Sequence, residues 1–212
     1  MALIRVINPN SNEDVTAGLT DAVAPFAMPG RIDITCETLE SGPFGIESQR
    51  DVESVALPLA ARMHARPADA FVIACYSDPG LALCRAEIAA PVFGIQESGL
   101  AMALTRGERF GVIAIADASI PRHLRAIRTM GLESRLVRER ALNLTVAESA
   151  GEAVFGRLEE TGQALIGDGA DVIILGCAGM ARHRQKLEAA LGCPVIDPPQ
   201  AAVAHALGAL LA

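Results

Sequence analysis

Apolar positions follow two alternating rhythms along this chain: short continuous runs, and longer stretches in which they return every three or four residues. Residues 3–7 form the first run. It ends in Asn8-Pro9-Asn10-Ser11-Asn12, which reads as a strand entering a turn rich in helix-capping side chains. Val15, Leu19, Ala22, Val23 and Phe26 then recur at helical spacing. Residues 32–38 alternate as a second strand, and a Gly/Pro loop occupies 39–48. A helix is predicted over 51–66 and a fully buried strand over 70–75. A helix over 79–90, with Asp78 as N-cap and Pro79 in its first turn, leads to a strand over 91–95. The pattern then restarts: strand 110–116, helix 120–130 ended by Gly131, strand 133–138, helix 148–167, strand 171–176, helix 179–191, strand 193–196 and a closing helix 201–211. Strands separated by helices imply βαβ units and a mostly parallel sheet.

The two passes superimpose. Phe71-Val72-Ile73-Ala74-Cys75 matches Val172-Ile173-Ile174-Leu175-Gly176-Cys177 in character. Fifteen residues separate Cys75 from Pro91-Val92, and sixteen separate Cys177 from Pro194-Val195. The pattern is that of a duplicated α/β half.

Composition narrows the function. With 212 residues, 51% hydrophobic and 20% charged, the chain can bury a sizeable core. Only 3% of residues are aromatic, so that core is aliphatic. A net charge of −7 without a basic stripe argues against nucleic-acid or membrane-surface partners. Lys186 is the one lysine, which leaves little room for Schiff-base or P-loop chemistry. No apolar run is long enough to span a membrane, and residues 1–10 lack a secretory pattern, so a cytoplasmic protein is expected. Five cysteines with no CxxC pair suit neither a disulfide framework nor a zinc site. The many apolar positions are compatible with a homo-oligomer.

The duplicated cysteine carries the chemistry. Each half places one thiol, Cys75 or Cys177, at the carboxyl end of a buried strand, where parallel sheets bind ligands. Backbone N–H groups at a following helix start favour negative charge and are expected to lower the thiol pKa. Two halves facing one another would put a thiol on each side of a small molecule. That arrangement suits proton abstraction from a carbon acid on one face and proton return on the other, with backbone N–H groups holding the enolate and no cofactor or metal required. A redox pair, or two small buried hydrophobes, remain open readings of the same positions. Cys36, Cys84 and Cys193 read as small buried hydrophobes.

Four segments carry a family resemblance: Ile7-Asn8-Pro9-Asn10-Ser11, Ala74-Cys75-Tyr76-Ser77-Asp78-Pro79-Gly80-Leu81, Gly94-Ile95-Gln96-Glu97, and Leu175-Gly176-Cys177-Ala178-Gly179-Met180-Ala181. In order and spacing, over essentially the whole chain, they resemble the Asp/Glu/hydantoin racemase superfamily, and within it the hydantoin and allantoin racemase branch. The resemblance implies two flavodoxin-like three-layer α/β/α halves with parallel sheets, related by a pseudo-two-fold, with the active site in the cleft between them. By analogy the last helix returns to the first half, giving residues 1–98 with 199–212 as one half and 99–198 as the other. It implies cofactor-independent two-base racemisation of a 5-substituted hydantoin or allantoin-like ring, with Cys75 and Cys177 as the acid/base pair. Aspartate or glutamate racemisation, maleate isomerisation and decarboxylation fit the same superfamily. A non-catalytic ligand-binding or redox-sensing module is the alternative of a different class.

Substrate contacts are expected at Asn10, Tyr76, Ser77, Ala178, Gly179 and Ser119. Asn10 serves equally well as a helix cap, and Asp78 reads as an N-cap rather than an acid. Ser119 is the only hydroxyl in the turn 114–119, where the racemases it resembles carry several. Glu97 either faces the cleft floor or caps the next helix. The loop 41–48 reads as a surface turn more than a flap. None of the four histidines falls at a strand end, so they are expected on the surface or packed, with His183 the one nearest the cleft rim. No pair of carboxylate-binding arginines is evident at the strand ends, which favours a neutral ring; Arg182 is the nearest in sequence to either cysteine.

Overall fold

The computed structural model describes residues 1–149 and 151–212, with the side chain of Glu152 also outside the description. Two four-stranded parallel sheets share one topology. In the first, β1 (Ala2–Asn8), β2 (Ile32–Thr38), β3 (Ala70–Ile73) and β4 (Val92–Gly94) take the order β2-β1-β3-β4. In the second, β5 (Phe110–Ala114), β6 (Leu136–Ala141), β7 (Val172–Gly176) and β8 (Val195–Ile196) take the order β6-β5-β7-β8. The helices of the first pass are α1 (Glu13–Val23), α2 (Gln49–Ser54), α3 (Ala56–Ala65), α4 (Leu81–Glu87) and α5 (Ile95–Ala103). The second pass has α6 (Ile120–Thr129), α7 (Val146–Ser149), α8 (Phe155–Gly167), α9 (Arg184–Leu191) and α10 (Pro198–Leu211).

Both faces of the inner strands β1 and β3 are buried, as the continuous apolar runs require. Ile7, Phe71 and Ile73 face a core formed with Leu59 and Met63 of α3 and Cys84 of α4. Ile4, Val6, Val72 and Ala74 face the larger core, which runs on into the second sheet. Helix α10 packs on α5, α1 and the strands β3 and β4, and Gln200 donates to the carbonyl of Ala22 at 2.8 Å.

Local chemistry revises several element boundaries. The 51–66 helix is two helices broken at Val55, the first starting at Gln49 under a capping box of Ser48 and Asp51. The 79–90 helix begins only at Leu81, because Asp78 (φ 43°) and Gly80 (φ 67°) turn the chain through left-handed conformations first. Gly80 also lets the turn approach α3, since a Cβ there would lie 2.8 Å from the Ala56 Cα. Residues 133–135 are a 3-10 turn, and the strand follows at 136–141. The helix over 148–167 begins at Phe155, after α7 and a short 3-10 turn, and Ala150 lies outside the described residues. The helix over 179–191 opens as a 3-10 turn, Ala178–His183. Among the described residues, no helix is long and apolar enough to cross a membrane.

Candidate active site

The carboxyl ends of β1 and β3 and those of β5 and β7 converge on a cleft of about 400 Å³, part of it open to solvent. Cys75 and Cys177 both line it. Each closes its strand with the same turn. The amide of Asp78 donates to the Cys75 carbonyl at 3.0 Å, and that of Met180 to the Cys177 carbonyl at 3.1 Å. The amide two residues on, Ser77 or Gly179, hydrogen-bonds the sulfur itself. The duplication legible in the sequence is therefore a duplication of local hydrogen bonding. All five cysteines are free thiols, and Cys36, Cys84 and Cys193 lie outside the cleft lining.

The expectation of lowered thiol pKa values is reversed. Neither cysteine sits at the start of an α-helix; α4 begins at Leu81 and α9 at Arg184. Burial dominates instead. It pushes Cys75 up to about 12, with the Ser77 amide and Arg122 pulling down and the charges of Cys177 and Asp78 pushing up. Burial also raises Cys177, against hydrogen bonds from Ser149 and the Gly179 amide; the charge of Glu47 adds to the rise.

Asn10, Tyr76, Ser77, Ala178 and Gly179 line the cleft with the two thiols. Asn10 is not the helix cap, because Asn12 accepts from Asp14 N–H in that role. The Asn10 Oδ1 accepts from the Asn12 amide at 2.9 Å and from Asn8 Nδ2 at 3.0 Å, which leaves its own amide nitrogen for the cleft. Ser119 is a correction. It is buried outside the cleft lining, and its hydroxyl donates to the Ala116 carbonyl at 2.7 Å, closing the turn that starts α6.

Asp78 is a cap, though of another helix. Its two oxygens accept from the Gln96 and Glu97 amides at the start of α5, at 2.8 and 2.9 Å, while burial pushes its pKa up to about 7. Glu97 stays at that helix start too, paired with Arg85 and accepting from the Gly94 amide. Arg182 is exposed and lies against Gly18 of α1, away from the cleft. His183 is buried in the Ala178–His183 turn, its ring 6.3 Å from that of Phe155, and does not line the cleft.

Four features escaped the sequence pattern. Arg122, in the first turn of α6, lines the cleft beside Cys75; its Nε donates to Ser77 Oγ at 3.0 Å. A cation therefore stands at the site after all. His123 lines the same wall, 2% exposed, its Nδ1 2.9 Å from Glu139 Oε2 and its ring edge-on to Tyr76 at 4.9 Å. The available signal was position: both residues follow the carboxyl end of β5 by one short turn, at the level where the cysteines stand. Ser149 Oγ lies 3.6 Å from Cys177 Sγ and also donates to the Val146 carbonyl at 2.7 Å. Finally, the 41–48 loop reaches across the site: Ile46 lines the cleft and Glu47 Oε1 accepts from the Val146 amide at 3.1 Å. Among the described residues, no group of three or more His, Cys, Asp or Glu could hold a metal ion.

Paired parallel sheets, each presenting a thiol from an equivalent strand-end turn to one cleft, define an α/β enzyme built from two like halves. The Asp/Glu/Hydantoin racemase family model matches residues 4–206, and the chain belongs to that family. It is 34% identical to a hydantoin racemase of Rhizobium meliloti over 94% of this chain and 85% of that one. It is likewise 34% identical to a hydantoin racemase of Paenarthrobacter aurescens, over 98% and 91% of the two chains. An allantoin racemase structure from Klebsiella pneumoniae superimposes with a TM-score of 0.93 at 28% identity, over 100% of this chain and 88% of its own. The chain is accordingly an isomerase of the racemase class.

Proposed function

We propose that this protein racemises a 5-substituted hydantoin or allantoin-like ring without a cofactor, using Cys75 and Cys177 as acid and base. The observation that carries this reading is the pair of equivalent turns delivering one thiol each to a single cleft. The ring carbon to be inverted lies next to a carbonyl, so its proton is already acidic. One sulfur, as thiolate, takes that proton from one face. The other, as thiol, delivers its proton to the opposite face, and the carbon is inverted. Two-base chemistry requires one charged sulfur and one neutral one. Repulsion disfavours a second charge, since charge on Cys177 raises the pKa of Cys75, while the Ser77 and Gly179 amides, Arg122 and Ser149 favour a thiolate against burial.

Apolar walls from Val15, Ile46, Ile115 and Val146 suit a small uncharged ring. The hydantoin and allantoin racemases among its relatives support the same substrate class. Arg122 favours a second reading, an amino-acid racemase whose substrate carboxylate pairs with that cation. We assign residues 1–98 with 199–212 to one half and 99–198 to the other, in keeping with the seat of α10 on α5, β3 and β4.

The test uses one enantiomer of 5-methylhydantoin in deuterated buffer, with an enzyme-free control, following optical rotation and C5 deuteration together. Wild type is expected to lose rotation as deuterium enters. Cys75→Ser and Cys177→Ser are each expected to lower racemisation by roughly 10²–10⁴-fold. Each variant should still exchange the enantiomer whose proton faces the remaining thiol. Full racemisation by Cys177→Ser would sink the two-base mechanism. Activity on aspartate or glutamate, with none on the ring, would select the second reading.

A further inference from the structure

The strand-end amides are largely spoken for. In each turn the amide two residues past the cysteine holds the sulfur, and the next holds the cysteine carbonyl. An enolate formed between the thiols needs a donor at its oxygen, and a side chain in the cleft wall is placed to supply it. Glu139 has a side chain only 1% exposed, and His123 is its hydrogen-bond partner among the described residues; the second carboxylate oxygen has none. A buried carboxylate is costly unless a hydrogen-bonded partner offsets it, and His123 Nδ1 is that partner. Nδ1 is committed to Glu139, so Nε2 is the ring nitrogen left to meet a ligand. The edge-on contact with Tyr76, the neighbour of Cys75, fixes the ring plane.

Building on the racemase reading above, we propose that His123, oriented by Glu139, is a further catalytic residue that donates a hydrogen bond from Nε2 to the substrate carbonyl oxygen as it gains enolate charge. His123 transfers no proton in this step. The C–H electron pair moves into the enolate, the proton goes to one sulfur, and the opposite sulfur returns a proton to carbon. Arg122 is tied to the Cys75 turn and its own helix, its Nε and Nη1 donating to Ser77 Oγ and the Ala118 carbonyl.

The enolate is common to both directions, so the donor should serve both faces equally. In His123→Phe, which keeps a ring but no N–H donor, racemisation of 5-methylhydantoin is expected to fall by about 10²-fold, the scale of losing one oxyanion donor. C5 deuterium uptake should fall in parallel for the two enantiomers. A residue that merely held the Cys75 turn would slow exchange on one face alone. Glu139→Gln keeps the volume and removes the charge, and should give a smaller, equally parallel loss; it also covers the case in which His123→Phe does not fold, which circular dichroism would show. Racemisation within twofold of wild type in both variants would overturn the inference, as would loss on one face only. An inert wild type, on ring and amino acid alike, would overturn the racemase reading and this inference with it.

Discussion

At the scale of single residues, the two halves of the site are alike in backbone and unlike in side chains. Cys75 is attended by Arg122, a permanent cation, and Cys177 by Ser149, a hydroxyl. One hydroxyl proton serves both states of Cys177. Directed to the Val146 carbonyl, it leaves Oγ free to accept from the thiol; turned to sulfur, it donates to the thiolate. Ser149→Ala should therefore cost Cys177 a partner in both forms, and the stronger, charge-assisted bond in the charged one. Alkylation of Cys177 by iodoacetamide, followed by peptide mapping at pH 8, is expected to slow roughly tenfold, the scale of one hydrogen bond to an ionised group. The rate at Cys75 should not fall, and an unchanged rate at Cys177 would refute the role. Cys75 and Cys177 were legible in the sequence because their spacing repeats in the two passes. Ser149 was not, because nothing in its spacing ties it to Cys177, and Arg122 and His123 offered only their place one turn past the carboxyl end of β5; the fold brings Ser149 to the sulfur and the other two to the cleft wall.

At the scale of elements, the succession of strands along the chain was legible, since continuous apolar runs and period-2 alternation report burial directly. Helix starts were not. The chain after Cys75 reads as Asp78 capping a helix at Pro79, yet Asp78 turns left-handed and caps α5 instead, across eighteen residues. Capping residues announce a helix start without saying which one. The loop 41–48 was misread for a related reason, its composition being that of any surface turn. What makes it a strap over the site is contact: Ser11 N–H donates to the Pro43 carbonyl at 2.9 Å and Val146 N–H to Glu47. Gly42 permits the approach, since a Cβ there would lie 2.2 Å from the Pro9 carbonyl oxygen. Backbone cannot give way as a flexible side chain can. Gly42→Ala should therefore lift the strap, raising KM several-fold and lowering the thermal midpoint by a few degrees, about 2–4 °C per kcal/mol for a chain of this size. Kinetics and melting curves equal to wild type would show the loop to be free of the site.

At the scale of the whole molecule, the chain passes from the first sheet to the second and comes back. Ala201, Ala202, Val203 and Ala206 of α10 are buried at 0–3% exposure in the larger core. Deleting residues 199–212 would uncover that face, and the truncated chain is expected to lose its cooperative melting transition, measured by circular dichroism. A sharp transition near the wild-type midpoint would show α10 to be an appendage. The larger core is continuous between the sheets, so the spacing of the two cysteines is set by packing and not by a hinge. The common turn at Cys75 and Cys177 has one more consequence. A racemase interconverts mirror images of equal energy, and two matched turns treat the two hands alike. The ring proposed as substrate has no such symmetry: one end carries carbonyl oxygen, the other a substituent. Residues that differ between the halves, the cation beside one sulfur and the hydroxyl beside the other, are thus the places where the molecule records the shape of its substrate. Swapping those residues, with both thiols left in place, is the route to a catalyst of the same reaction with a different guest.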